Sequence, residues 1–135
     1  MSKALFNKDV RYPRSRIDKL GVKPGSRVAV LGVDDPSFLD ELAERGAEVS
    51  SRARPGLDMV FVAMSAPADL KHLVKLRHVI RPAGAVWVIW PKGRREFRED
   101  DVRAFGPQAE LVDVKVMAFS ETLSALKMVI PLAKR

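Results

Sequence analysis

The chain has 135 residues, 47% of them apolar and 30% charged, with a net charge of +7 and no cysteine. That length and balance fit one globular domain with a core of its own. The lack of cysteine excludes disulfides, thiolate catalysis and cysteine-ligated metal, and the longest strongly apolar run, Ala85 to Trp90, is too short to span a bilayer.

The opening residues, Met1 to Lys8, hold no apolar stretch of signal-peptide length, so a cytoplasmic protein without membrane association is expected. Residues 1–27 carry eight basic and two acidic groups, a net +6; the other 108 residues contribute only +1. The reading is a basic N-terminal arm over residues 1–19 followed by a single domain over 20–135. Such an arm can follow phosphates or an acidic partner, which makes nucleic acid a candidate partner. It can equally be a solvated leader. No aromatics are interleaved with the charges, which argues against a dedicated single-strand binder.

In chain order, Arg14 to Leu20 predicts a short helix stopped by Gly21. Lys23-Pro24-Gly25-Ser26 reads as a turn, and Arg27 to Gly32 as a buried strand. A helix follows from Pro36 to Arg45, with Asp35 as N-cap and Pro36 at the first helical position. Its apolar face is Phe38, Leu39, Leu42 and Ala43, and Gly46 stops it. Ala47 to Ser50 predicts a short strand, residues 51–56 a basic loop, and Asp58 to Met64 a third strand. Ser65 is expected to cap a long helix over Ala66 to Ile80, burying Leu70, Leu73, Val74, Leu76 and Ile80. Pro82-Ala83-Gly84 breaks the chain before a fourth strand, Ala85 to Trp90. A short helix over Phe97 to Phe105 ends at Gly106-Pro107. Glu110 to Phe119 and Thr122 to Pro131 then predict an antiparallel pair, because no helix fits between them. The sum is an α/β fold: a three-layer, mostly parallel sheet with a C-terminal antiparallel strand pair.

Several phrases carry a likeness. Gly21-Val22-Lys23-Pro24-Gly25-Ser26-Arg27-Val28-Ala29-Val30-Leu31-Gly32 is similar to the approach and first strand of class I, S-adenosylmethionine-dependent methyltransferases. Asp58 to Val62 is similar to their fourth strand, and Ile80 to Val88 to the turn into their fifth. Val88-Ile89-Trp90-Pro91-Lys92, Leu111 to Val116 and Glu121 to Lys127 resemble a narrower group, with Lys19 to Gly25. It is a small bacterial domain-of-unknown-function family of reduced class I methyltransferase-like (Rossmann-like) proteins. The resemblance implies the fold and supplies no catalytic residue. The chain departs from methyltransferases at the first loop. Their Gly-x-Gly-x-Gly lets cofactor and backbone approach closely. Here Gly32 is followed by Val33, Asp34, Asp35, Pro36 and Ser37. Proline removes a donor, and two carboxylates at a helix N-terminus meet an anion with like charge. The acid that holds a ribose at the end of the second strand is also missing from Val49-Ser50-Ser51-Arg52.

Ligands of open α/β sheets bind beyond the C-terminal ends of the parallel strands. The candidate binding residues are therefore Gly32, Asp34, Asp35, Ser65, Trp90, Lys92 and Glu121. Asp34 or Asp35 can receive an amine or a hydroxyl; alternatively Asp35 is a plain N-cap and Asp34 is solvated. Trp90, Lys92, Glu121 and Ser124 are expected to share one neighbourhood, as a pocket or as a packed tryptophan beside a Lys92–Glu121 surface pair. Lys92, Arg94, Arg95 and Arg98 can clamp an anion, or be neutralised by Glu96, Glu99, Asp100 and Asp101. Lys71, Lys75 and His78 form a basic helical stripe of the kind that any sheet-covering helix shows outward. His72 and His78 do not converge as metal ligands, and no metal is expected. No nucleophile elbow or P-loop is present. Lys127 interrupts an apolar strand and needs a partner or a route to water. The reading is a reduced, non-catalytic domain that binds a small molecule or a protein partner. Two alternatives stay open: a methyltransferase that takes S-adenosylmethionine through an atypical loop, and an accessory nucleic-acid binder working through the arm.

Overall fold

The computed structural model describes residues 14–135; the first thirteen residues of the basic arm lie outside the described residues. The first helix, α1 (Arg16–Leu20), starts where the Ser15 hydroxyl accepts the Asp18 amide and stops at Gly21 in the left-handed region. Its Ile17 and Leu20 are buried, and the indole of Trp87 donates to the Leu20 carbonyl at 3.2 Å, which ties α1 to the sheet.

Then follow β1 (Arg27–Leu31), α2 (Pro36–Arg45), β2 (Glu48–Ser50) and β3 (Leu57–Ala63). A 3-10 turn (Pro67–Lys71) leads into α3 (His72–Leu76), and β4 spans Ile80–Pro91. After α4 (Glu99–Phe105) and a second 3-10 turn (Gly106–Ala109) come β5 (Val112–Ala118) and β6 (Leu123–Val129). The sheet order is β2-β1-β3-β4-β6-β5. β2, β1, β3 and β4 run parallel, whereas β6 lies antiparallel to both β4 and β5. This is the expected α/β architecture with its terminal antiparallel pair.

Each face of the sheet carries its own core. On one, Phe38 and Leu42 of α2 and Ile17 and Leu20 of α1 pack on Val28, Phe61 and Trp87. On the other, Leu70, Leu73, Leu76, Phe97 and Val102 pack on Val60, Val86, Val88 and Trp90. Period-two alternation along β4 sends Trp87 and Ile89 to the first face and Val88 and Trp90 to the second. Among the described residues no helix is long and apolar enough to cross a membrane.

Two expectations need correction. The long helix over Ala66 to Ile80 is a 3-10 turn and five helical residues, and Ser65 does not cap it. Instead the Asp69 carboxylate accepts the amides of Ser65 and Ala66 at 2.9 and 3.1 Å, tightening the first turn. The chain must leave the helix by Leu76, because Ile80 pairs with Leu57 and the Leu57 amide donates to Val79. The changed pitch turns Val74 outward, 44% exposed. The second correction is that Pro82-Ala83-Gly84 lies inside β4. Register with β3 shifts between Leu57 and Met59, so the strand passes the irregularity without ending.

Candidate functional site

β1, β3 and β4 end together: Leu31 pairs with Val62, and Ala63 with Ile89. Beyond these ends the chain must turn sharply, and Gly32 does so at φ +74°, where a side chain would be strained. Gly32, Asp34, Met64, Ser65, Pro91 and Thr122 line a cleft of about 540 Å3 at this edge. Asp34 and Ser65 are exposed in it, and no ion pair of Asp34 occurs among the described residues. With Thr122 they give the cleft one carboxylate and two hydroxyls.

Asp35, next in the chain, has different work. Its Oδ1 accepts the Phe38 amide at 3.0 Å and the Ser37 hydroxyl at 2.7 Å, capping α2. Its Oδ2 accepts from Arg16 at 2.9 Å. Burial pushes its carboxyl up, but the bonds from Ser37, Phe38 and Arg16 outweigh that and hold it below the usual carboxylate range. Arg16 also makes a two-pronged contact with Glu41 at 3.0 and 2.7 Å, donates to the Phe119 carbonyl at 3.1 Å, and lies over the Phe119 ring at 4.7 Å. Phe38 and Phe119 meet edge to face beneath it. One guanidinium thus clamps the turn after β1 to α2 and to the end of β5. Nothing local in the sequence marks Arg16; its partners lie 19, 25 and 103 residues away.

Trp90 and Lys92 fall on the opposite face of β4 from Ile89 and Pro91. With Ser124 and the arginines of the following loop they line a separate cleft. Trp90 is buried and meets Phe97 edge to face at 6.2 Å. The Lys92 amide donates to Thr122. Glu121 is exposed, lines neither cleft, and forms no ion pair with Lys92 among the described residues. The expected single neighbourhood is therefore corrected at Glu121: Trp90, Lys92 and Ser124 line one cleft, and Glu121 lies outside it. Lys127 lies half-buried across from Trp87, its ammonium 6.0 Å from that ring, with Lys115 on the neighbouring strand. Burial, helped by Lys115, pushes its pKa down.

Solved structures share the fold. A SAM-dependent methyltransferase from Aquifex aeolicus superposes with a TM-score of 0.63 at 16% identity, covering 84% of this chain and 87% of that one. The chain has a class I methyltransferase fold. A complex of the Haloferax volcanii Trm112 methyltransferase activator with a putative methyltransferase matches at TM-score 0.62 and 12% identity, over 86% of each chain. A TehB-like SAM-dependent methyltransferase from Corynebacterium glutamicum matches at 0.61 and 9%, over 85% of each. No protein-family model matches the chain, and no curated protein matches it significantly.

Within the methyltransferase fold, the phrases likened to the family's first, fourth and fifth strands fall on β1, β3 and β4. Residues 51–56 join β2 directly to β3. The edge where this fold would hold an adenosyl group departs from the Gly-x-Gly-x-Gly pattern. Gly32 keeps the first turn, but Pro36 has no amide to offer, and the Phe38 amide is taken by Asp35. At the end of β2 the Ser50 hydroxyl is engaged by the Arg52 amide and carbonyl, and no carboxylate stands there for a ribose.

Proposed function

We propose that this domain is a reduced methyltransferase-type binding module. It takes a small molecule bearing an amine or hydroxyl in the cleft of Gly32, Asp34 and Ser65, and does not carry out ordinary methyl transfer. The observation that carries this reading is the Arg16–Asp35–Glu41 clamp. It commits one acid of the loop to structure, stiffens the turn, and leaves Asp34, with Ser65 and Thr122, as the polar side chains that can meet a ligand. A carboxylate beside a hydroxyl suits a cation or a hydrogen-bond donor and repels phosphate.

A second reading is S-adenosylmethionine bound through this atypical loop. The SAM-dependent neighbours favour it, and the ammonium of that cofactor is a group Asp34 could hold. A protein partner is a further element of the proposal; the haloarchaeal neighbour was solved with an activator protein. Native mass spectrometry of the purified protein separates the readings. A retained small molecule, lost in Asp34→Ala and Ser65→Ala, supports the binding module. Retention of S-adenosylmethionine or its demethylated product supports the second reading and sinks the first.

A further inference from the structure

The cleft on the other face of β4 has a composition of its own. About 390 Å3 in volume, it is floored by the buried rings of Trp90 and Phe97 and rimmed by Lys92, Arg94, Arg95 and Arg98, with Glu99 as the one acid of the lining. Ser124, paired with Trp90 across the strands, adds a half-buried hydroxyl. The rim is held in place. The Lys92 amide donates to Thr122 at 2.9 Å, Gly93 turns the chain at φ +75°, Phe97 anchors the loop under Trp90, and the Arg98 amide donates to Asp101 at 2.8 Å.

These four cations are exposed, and none forms an ion pair among the described residues. Elsewhere Arg27, Arg45, Arg77, Arg81 and Arg103 each reach a carboxylate. The acids that follow the loop do not neutralise it through contacts: Glu99 pairs with Arg103, and Asp101 accepts the Arg98 amide. Four like charges on one short loop repel one another, and an anion relieves that cost. Guanidinium groups match phosphate oxygens with paired donors.

We infer that this cleft binds the phosphate group of a small phosphorylated molecule. A nucleic-acid backbone fits less well. The positive stretch is one loop long, is interrupted by Glu96 and is followed by Glu99 and Asp100, so it offers no track for successive phosphates. Its aromatic rings are buried and cannot stack on bases. The inference does not depend on the function proposed for the first cleft, which lies on the other face of β4.

The test is an amide NMR titration of the intact chain with inorganic pyrophosphate at physiological ionic strength. Saturable shifts are expected at Lys92 to Arg98 and at Ser124. Arg95→Ala with Arg98→Ala is expected to weaken binding roughly tenfold. Lys71→Ala with Lys75→Ala, which removes equal charge from α3 and the turn before it, is expected to change it by less than about twofold. Arg94→Gln, at an exposed position, reads the same site if the double variant fails to fold, with a loss of about threefold expected. Shifts that do not saturate, equal losses in both double variants, or displacement of pyrophosphate by tighter-binding single-stranded RNA would each overturn the inference.

Discussion

Arg16 shows how one side chain can decide what a loop is able to bind. Its charge is answered by Asp35 and Glu41, and its remaining donors by a hydroxyl and a carbonyl. Arg16→Met keeps much of the volume and removes the cation from both carboxylates, while Asp35 keeps its bonds from Ser37 and Phe38. Because these groups are partly solvated, we expect a loss of about 1–3 kcal/mol in urea unfolding, with Arg16→Lys intermediate. The linked pH effect follows from the depressed folded-state pKa of Asp35. Its contribution is fully present above the unfolded value near about 4 and is lost as pH falls through the lower folded value. Asp35→Asn is expected to remove that part of the acid dependence. Lys127 shifts stability with pH in the same direction, but because burial disfavours its charged form. Its folded pKa is lowered, so the unfolded chain binds more protons between that value and the ordinary one near about 10.4, and stability rises with pH across this window. Lys127→Met is expected to stabilise the domain at neutral pH by about 0.5–2 kcal/mol and to flatten that rise. The cap formed by Asp35 was legible in the sequence, because a cap needs only its own helix. The clamp by Arg16 was not, because it joins segments that meet only after folding.

At the scale of elements, positions set by local chemistry came out as read. α2 runs from Pro36 to Arg45 between Asp35 and Gly46, as the proline, cap and glycine dictate. The errors arose where partner strands override local signals. Pro82 and Gly84 look like a break, yet β4 continues through them. Gly84 is there because the strands come too close for a side chain: a Cβ would lie 2.8 Å from the Asp58 carbonyl oxygen. Gly84→Ala is therefore expected to destabilise by about 1–3 kcal/mol in thermal or urea melts, although alanine is the better residue in an unstrained strand. The helix after β3 was overextended for a related reason. Its apolar spacing continues to Ile80, but the demand that Ile80 join the ladder ends the helix at Leu76. Trp90, Lys92 and Ser124 were placed together correctly, as cross-strand geometry requires. Their separation from Gly32 and Asp34 follows from the alternation of β4, a constraint present in the sequence pattern but outweighed by nearness to one sheet edge.

For the whole molecule, the fold is that of class I methyltransferases. β2 has three residues, and the crossover to β3 is residues 51–56. Parallel strands usually need a dozen or more residues between them; the short β2 makes so short a return feasible. The edge where the fold family is expected to hold its cofactor is kept, but it is lined by Asp34, a capped and clamped Asp35, and a proline. The claim at the centre of this account is that such a bend does not cradle an adenosyl group. Thermal melting of the intact protein with saturating S-adenosylmethionine tests it most directly. We expect the melting curve to be unmoved. A rise corresponding to about 2.7 kcal/mol at a hundredfold excess over the dissociation constant, lost in Asp34→Ala, would contradict it.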